Sequence, residues 1–137
     1  SDKLRGMIAT KPGRPDTNGA REFNRLAWRA DLNPAASFVA QAYDAAFLLA
    51  LAIEKSGQTE RSGLNKALRD VASAPGEVIF PGEWQKAKAL LKAGEPINYE
   101  GATGSLEFDE AGDVSGVIIE MGVHVMEGSF REFGQVR

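Results

Sequence analysis

The stretch Gln41-Ala42-Tyr43-Asp44-Ala45-Ala46-Phe47-Leu48-Leu49-Ala50-Leu51-Ala52-Ile53-Glu54-Lys55-Ser56-Gly57 decides how this chain is read. It is apolar on nearly every face and built mostly from strong helix formers, which predicts a buried core helix. Lys55 falls in the last turn, where a cation suits the helix dipole, and Gly57 supplies the stop. The uninterrupted apolar run from Ala45 to Ile53 is well short of the ~20 residues needed to cross a bilayer. Asp44 is the exception on this helix, because a carboxylate there costs on the order of several kcal/mol unless a partner satisfies it. Two readings stand: a structural hydrogen bond to a backbone amide or an Arg elsewhere in the core, or a contact with a ligand. Ser37 and Gln41 share its stripe, so a narrow polar seam runs down the first two turns and is able to line a cleft.

Working outward, Gly6-Met7-Ile8-Ala9-Thr10 reads as a strand, ended by the Pro- and Gly-containing run from Lys11 to Asp16. Asp16, Thr17 and Asn18 are candidate caps for an amphipathic helix with Phe23, Leu26, Ala27 and Trp28 on one side. Asn33-Pro34 ends the connection, and the long helix starts near Ala36. Leu64, Ala67, Leu68 and Val71 mark a surface helix within Glu60 to Ala72. Ala74-Pro75-Gly76 breaks it, Glu77 to Phe80 reads as a short strand, and Glu83 to Ala93 is a helix burying Trp84, Ala87, Leu90 and Leu91, closed by Gly94. Gly104 to Phe108 alternates, Asp109 to Asp113 is a turn, and β-branched residues through Val117-Ile118-Ile119 and Val123-His124-Val125 read as strands. Glu127-Gly128-Ser129 is expected to turn the chain into a last strand, Phe130 to Val136. The first strand is separated from these by more than a hundred residues. A strand feeding helices normally belongs to a parallel sheet with both faces covered, so its neighbours are expected outside this sequence.

Composition narrows the function classes. The 137 residues are 43% hydrophobic and 26% charged, as in a globular domain of ordinary size. A net charge of −3 gives no electrostatic reason to bind nucleic acid. Cysteine is absent, which excludes disulfides and thiolate metal sites. No basic-then-apolar leader precedes the first strand, which fits a mature or cropped chain. His124 is the single histidine and is expected to face solvent, opposite Val123 and Val125; with no second His, no metal site is expected. No Gly-x-Ser-x-Gly elbow occurs, and no spacing brings carboxylates together for acid–base work, so no catalytic residue is assigned and the chain reads as a non-enzyme. Asp109, Glu110 and Asp113 lack the ligand spacing of a calcium loop and are better read as a turn. Gly101 to Gly104 is superficially like a phosphate loop, yet no Gly-Lys-Ser/Thr follows.

Three separated segments together resemble the C-terminal part of periplasmic amino-acid-binding proteins of the leucine/isoleucine/valine type, the solute-binding subunits of ABC transporters. They are Leu4-Arg5-Gly6-Met7-Ile8-Ala9-Thr10 before a Pro-rich crossing, Tyr43-Asp44-Ala45 opening a helix that ends in Ala52-Ile53-Glu54-Lys55-Ser56-Gly57, and Thr103-Gly104-Ser105-Leu106-Glu107-Phe108-Asp109-Glu110-Ala111-Gly112-Asp113. The resemblance implies an α/β fold, the C-terminal part of a type I periplasmic-binding-protein fold with two lobes and three crossings. It places about 1–32 and 114–137 in one lobe and about 33–113 in the other. It implies a periplasmic protein that needs no cofactor, takes an amino acid or related small carboxylate in an inter-lobe cleft and delivers it to a membrane permease. A sensory or regulatory ligand-binding domain of the same fold is the alternative. Tyr43 matches a position where relatives set an aromatic against the ligand's side chain. Arg5 matches a glutamate that takes the ligand's ammonium group; the reversed charge favours an anionic or neutral group there. Asp44 is the third candidate ligand residue. Unpaired sheet edges would also make such a fragment self-associate.

Overall fold

A computed structural model describes residues 3, 5–114, 118–126 and 129–136. Among the described residues ten elements follow in order: β1 (Ile8–Pro12), α1 (Asn18–Arg29), α2 (Val39–Ser56), α3 (Arg61–Ala72), β2 (Glu77–Ile79), α4 (Trp84–Lys92), β3 (Ile97–Gly101), β4 (Gly104–Ser105), β5 (Ile119–Met126) and β6 (Ser129–Val136). They form two compact units, residues 1–14 with 116–137, and residues 15–115.

The smaller unit is a three-stranded antiparallel sheet in the order β1-β5-β6. Ile8 pairs with Val123 and Pro12 with Ile119, so β1 finds its partner in the distant β5 rather than in a parallel sheet. The expected hairpin arm from Val117 to Val125 is β5 over the described residues; Val117, Glu127 and Gly128 lie outside them. His124 corrects the expected orientation. It alternates with Val123 and Val125 as a strand requires, but the face it shares with Glu120 is the buried one, and His124 is only 2% exposed. On that face Lys11 sits 3.1 Å from Glu120 and 2.6 Å from Glu132, and the two carboxylates hold the ammonium above the usual lysine range, Glu132 first.

The larger unit wraps helices around a sheet in which β2 runs parallel to β3 and β4 returns antiparallel. Helices α1, α3 and α4 all pack on β3. Its main core joins Leu48 and Leu51 of α2, Val71 and Ala72 of α3, Ile79 of β2, Ala87 of α4, Ile97 and Tyr99 of β3, and Leu106. A second cluster joins Phe23 and Ala27 of α1 to Ala40 and Ala102. Burying its apolar stripe in that cluster ties α1 to the larger unit.

Local chemistry explains the helix ends. Thr17 caps α1, its hydroxyl accepting from the Ala20 N–H at 3.2 Å. Gly57 closes α2 in the left-handed region at φ +64°, its N–H returning to the Ile53 carbonyl. The start of α2 lies at Val39, three residues after the expected Ala36, because Ala36 to Phe38 turn before the helix begins. Nor is α2 buried all round: it buries Ala40, Asp44, Leu48, Leu51 and Ala52, while Ala42, Ala45, Ala46 and Leu49 face solvent. Asp109 forms the expected turn, its carboxylate accepting from the N–H groups of Gly112 and Asp113 at 2.9 Å each.

Candidate functional site

Tyr43 and Asp44 are neighbours in the second turn of α2 and meet different surroundings. The Asp44 carboxylate is 3% exposed. One of its oxygens accepts from the Tyr99 hydroxyl and the Ala102 N–H, each at 2.8 Å. The other accepts from the Thr103 N–H at 2.8 Å and the Thr103 hydroxyl at 2.6 Å. Four donors on two oxygens fill the acceptor capacity of a carboxylate. The Gly101-Ala102-Thr103-Gly104 turn therefore does cradle an anion, and the anion is the protein's own Asp44. Gly101 makes room for it, since a Cβ there would lie 2.6–2.7 Å from the carboxylate atoms. Burial, and then the neighbouring Asp44 charge, push the Tyr99 hydroxyl well above the ordinary tyrosine range, which keeps it a proton donor.

Tyr43 is half-buried in a run of aromatic rings. Its ring lies 5.2 Å from Phe23 and stacks at 5.7 Å on Phe47, which in turn lies 5.0 Å from Tyr99 and meets Trp84 edge-on at 6.2 Å. The Tyr43 oxygen accepts the Gly82 N–H at 2.9 Å, so its own hydrogen is left to donate. Burial raises its ionisation above the usual tyrosine value, the Gly82 N–H pulls the other way, and Asp44 adds to the rise; the group is a neutral hydroxyl at physiological pH. Gly82 adopts φ +86°, which favours glycine, and a Cβ there would come within 2.8 Å of a Leu26 methyl, which would have to shift.

Gly82 also lines a groove of about 440 Å³ between the first half of α1 and the turn after β2, with Asn18, Arg21, Glu22, Arg25 and Glu83. The groove lies beyond the carboxyl end of a parallel strand, where ligands of open α/β sheets bind. Arg5 belongs to the other unit, exposed in the turn that precedes β1, where the Gly6 N–H bonds the His124 carbonyl at 3.0 Å. Tyr43 and Asp44 are thus neighbours on α2 that face different partners, Gly82 and the β3–β4 turn, while Arg5 lies in the smaller unit. Sequence reasoning missed Tyr99, Gly101, Thr103 and Gly82. A signal was present for the first, since Ile97-Asn98-Tyr99 between Pro96 and Gly101 has the residue types of a short buried strand.

A family profile described as "Receptor family ligand binding region" matches residues 2–121. The chain is 35% identical over 105 residues to the chemotactic signal transduction system substrate-binding protein BasB of Halobacterium salinarum, across 76% of this chain and 25% of that protein. It is similar to the crystal structure of the leucine binding protein LivK from Thermotoga maritima, with a TM-score of 0.58 and 20% identity, over 97% of this chain and 31% of that one. The chain therefore spans about a quarter of the length of BasB and about a third of LivK.

Proposed function

Because this chain belongs to the family of receptor ligand-binding regions and has a type I periplasmic-binding-protein α/β fold, we propose that it is part of a non-enzymatic, periplasmic solute-binding protein of an ABC transporter. The solute is an amino acid or a related small carboxylate, held by closure of two lobes rather than transformed. The family profile across residues 2–121 carries this reading. Tyr43 is the aromatic wall of the site, offering a ring face and one free O–H donor to the ligand. Asp44 contributes by fixing that wall: with its oxygens filled by Tyr99, Ala102 and Thr103, it braces the β3–β4 turn against α2 and leaves direct contact to its neighbour. Arg5 supplies a cation to an anionic or neutral part of the ligand.

A second reading has one specific observation in its favour. The relative at 35% identity is named for chemotactic signal transduction, which supports delivery of the bound solute to a chemoreceptor instead of a permease. Deleting the coding sequence separates the two. Loss of uptake of a radiolabelled solute with intact swimming responses supports transport, and the reverse supports sensing. Turnover of any bound solute by the purified protein would overturn both.

A further inference from the structure

The groove between α1 and the turn after β2 is lined by charges arranged for one kind of guest. Arg21 and Arg25 stand one helical turn apart on the same face of α1, with Asn18 one residue-triplet before Arg21, and all three line the groove. Each guanidinium is at present paired within its own helix end: Arg21 with Asp16 and, at 2.8 Å, with the Asn18 amide oxygen, and Arg25 with Glu22. Both arginine side chains are more than half exposed, 58% and 55%, and Asp16 is 89% exposed. Pairs this open hold weakly, because water and salt screen them, so a carboxylate entering the groove exchanges for Asp16 and Glu22 at little cost. Across the groove, Gly82 brings bare backbone to the surface, and its N–H is already committed to Tyr43. Glu83 is fixed there by the Phe80 N–H, which donates to it at 2.8 Å. One wall thus carries a pair of planar cationic forks together with Glu22, the partner of Arg25, and the other a fixed carboxylate. A small carboxylate matches the first, with its anionic end on Arg21 and Arg25, and an α-amino acid also matches the second, with its ammonium towards Glu83.

Resting on the solute-binding reading above, we propose that this groove is the charge-selecting part of the site, in which Arg21 and Arg25 take the carboxylate of the solute. A neutral solute of the same shape leaves the two arginines in their helix pairs and gains nothing there. The groove's roughly 440 Å³ is ample for such a solute.

The test is a thermal-shift titration of the protein with succinate and with its neutral diamide at matched ionic strength, followed by calorimetry. Succinate is expected to raise Tm and the diamide to leave it unchanged. Arg21→Gln and Arg25→Gln each weaken succinate about tenfold, the size of one charge-assisted hydrogen bond, and together abolish the shift. Arg29→Gln, on the same helix but outside the groove, keeps it. Circular dichroism of each variant checks that α1 is intact. Equal succinate shifts in the native protein and the double variant would overturn the proposal. So would binding of neutral solutes with no response to succinate, which leaves the solute-binding reading standing. Silence towards every solute, charged and neutral, takes both down.

Discussion

Asp44→Asn is the sharpest perturbation of the wall beside Tyr43, because it changes one atom and almost no volume. In the native arrangement each carboxylate oxygen receives one backbone N–H and one hydroxyl: Ala102 N–H with Tyr99 on the first, Thr103 N–H with Thr103 Oγ1 on the second. An amide has one acceptor oxygen and one NH2 group. Whichever way it is turned, the facing hydroxyl rotates to accept, but the backbone N–H beside it cannot and is left pointing at another donor. A buried donor without a partner costs about 1–3 kcal/mol, and the remaining bonds lose the strength that the negative charge gave them. We expect Asp44→Asn to lower unfolding free energy by about 2–3 kcal/mol, and Asp44→Ala, which strands all four donors, by about 3–5 kcal/mol. Urea unfolding followed by circular dichroism reads both values, with an unchanged slope as the check that the unfolded state is the same. A loss below about 0.5 kcal/mol for Asp44→Asn, the size of an ordinary surface change, would refute the reasoning that the carboxylate holds the β3–β4 turn to α2.

Further outcomes follow from the same geometry. Gly101→Ala places a methyl 2.6–2.7 Å from the Asp44 carboxylate and is expected to cost about 1–3 kcal/mol in the same unfolding experiment, more than Gly94→Ala, where nothing lies within 4 Å and only the positive φ is strained. Tyr43→Phe removes only the acceptor for the exposed Gly82 N–H, so stability is expected to fall by less than about 1 kcal/mol while solute affinity drops, a separation that calorimetry and urea unfolding together measure. Burial, and then repulsion from Glu107, raise the Glu100 carboxyl above its ordinary value of 4.5. The folded state then holds that proton more tightly than the unfolded one, so the group's contribution is fully present below pH 4.5 and is lost as pH rises through the folded value. Glu100→Gln is expected to flatten that loss in Tm between acid and neutral pH. The solvent-facing Ala42, Ala45, Ala46 and Leu49 of α2 predict concentration-dependent self-association in sedimentation velocity, which Leu49→Glu is expected to reduce.

Much of the larger unit was legible in the sequence, because its helices carry their own punctuation. Thr17 and Gly57 cap where the residue types say they should, and the spacing of Leu68 and Val71 or of Trp84 and Ala87 points each helix at the core. What escaped was non-local. Strand β3 is five residues long and alternates poorly, since Ile97, Asn98 and Tyr99 are all buried. Its identity comes from pairing with β2 and from the helices around it, which no window of sequence contains. Asp44 announced that it needed partners, but the donors stand 55–59 residues away, and the turn that supplies three of the four lacks the residues of a phosphate loop. His124 failed for a related reason: alternation fixes which residues share a face of β5, while the buried face is the one that Val123 and Val125 do not occupy.

The solute-binding account rests on Tyr43 facing a captured small molecule, and isothermal titration of the native protein and of Tyr43→Ala against branched-chain amino acids, small carboxylates and aromatic acids tests that directly. The account predicts that at least one of these solutes binds one-to-one and unchanged, and that Tyr43→Ala weakens it at least tenfold while the fold remains intact by circular dichroism. A solute bound equally well by both proteins would contradict it.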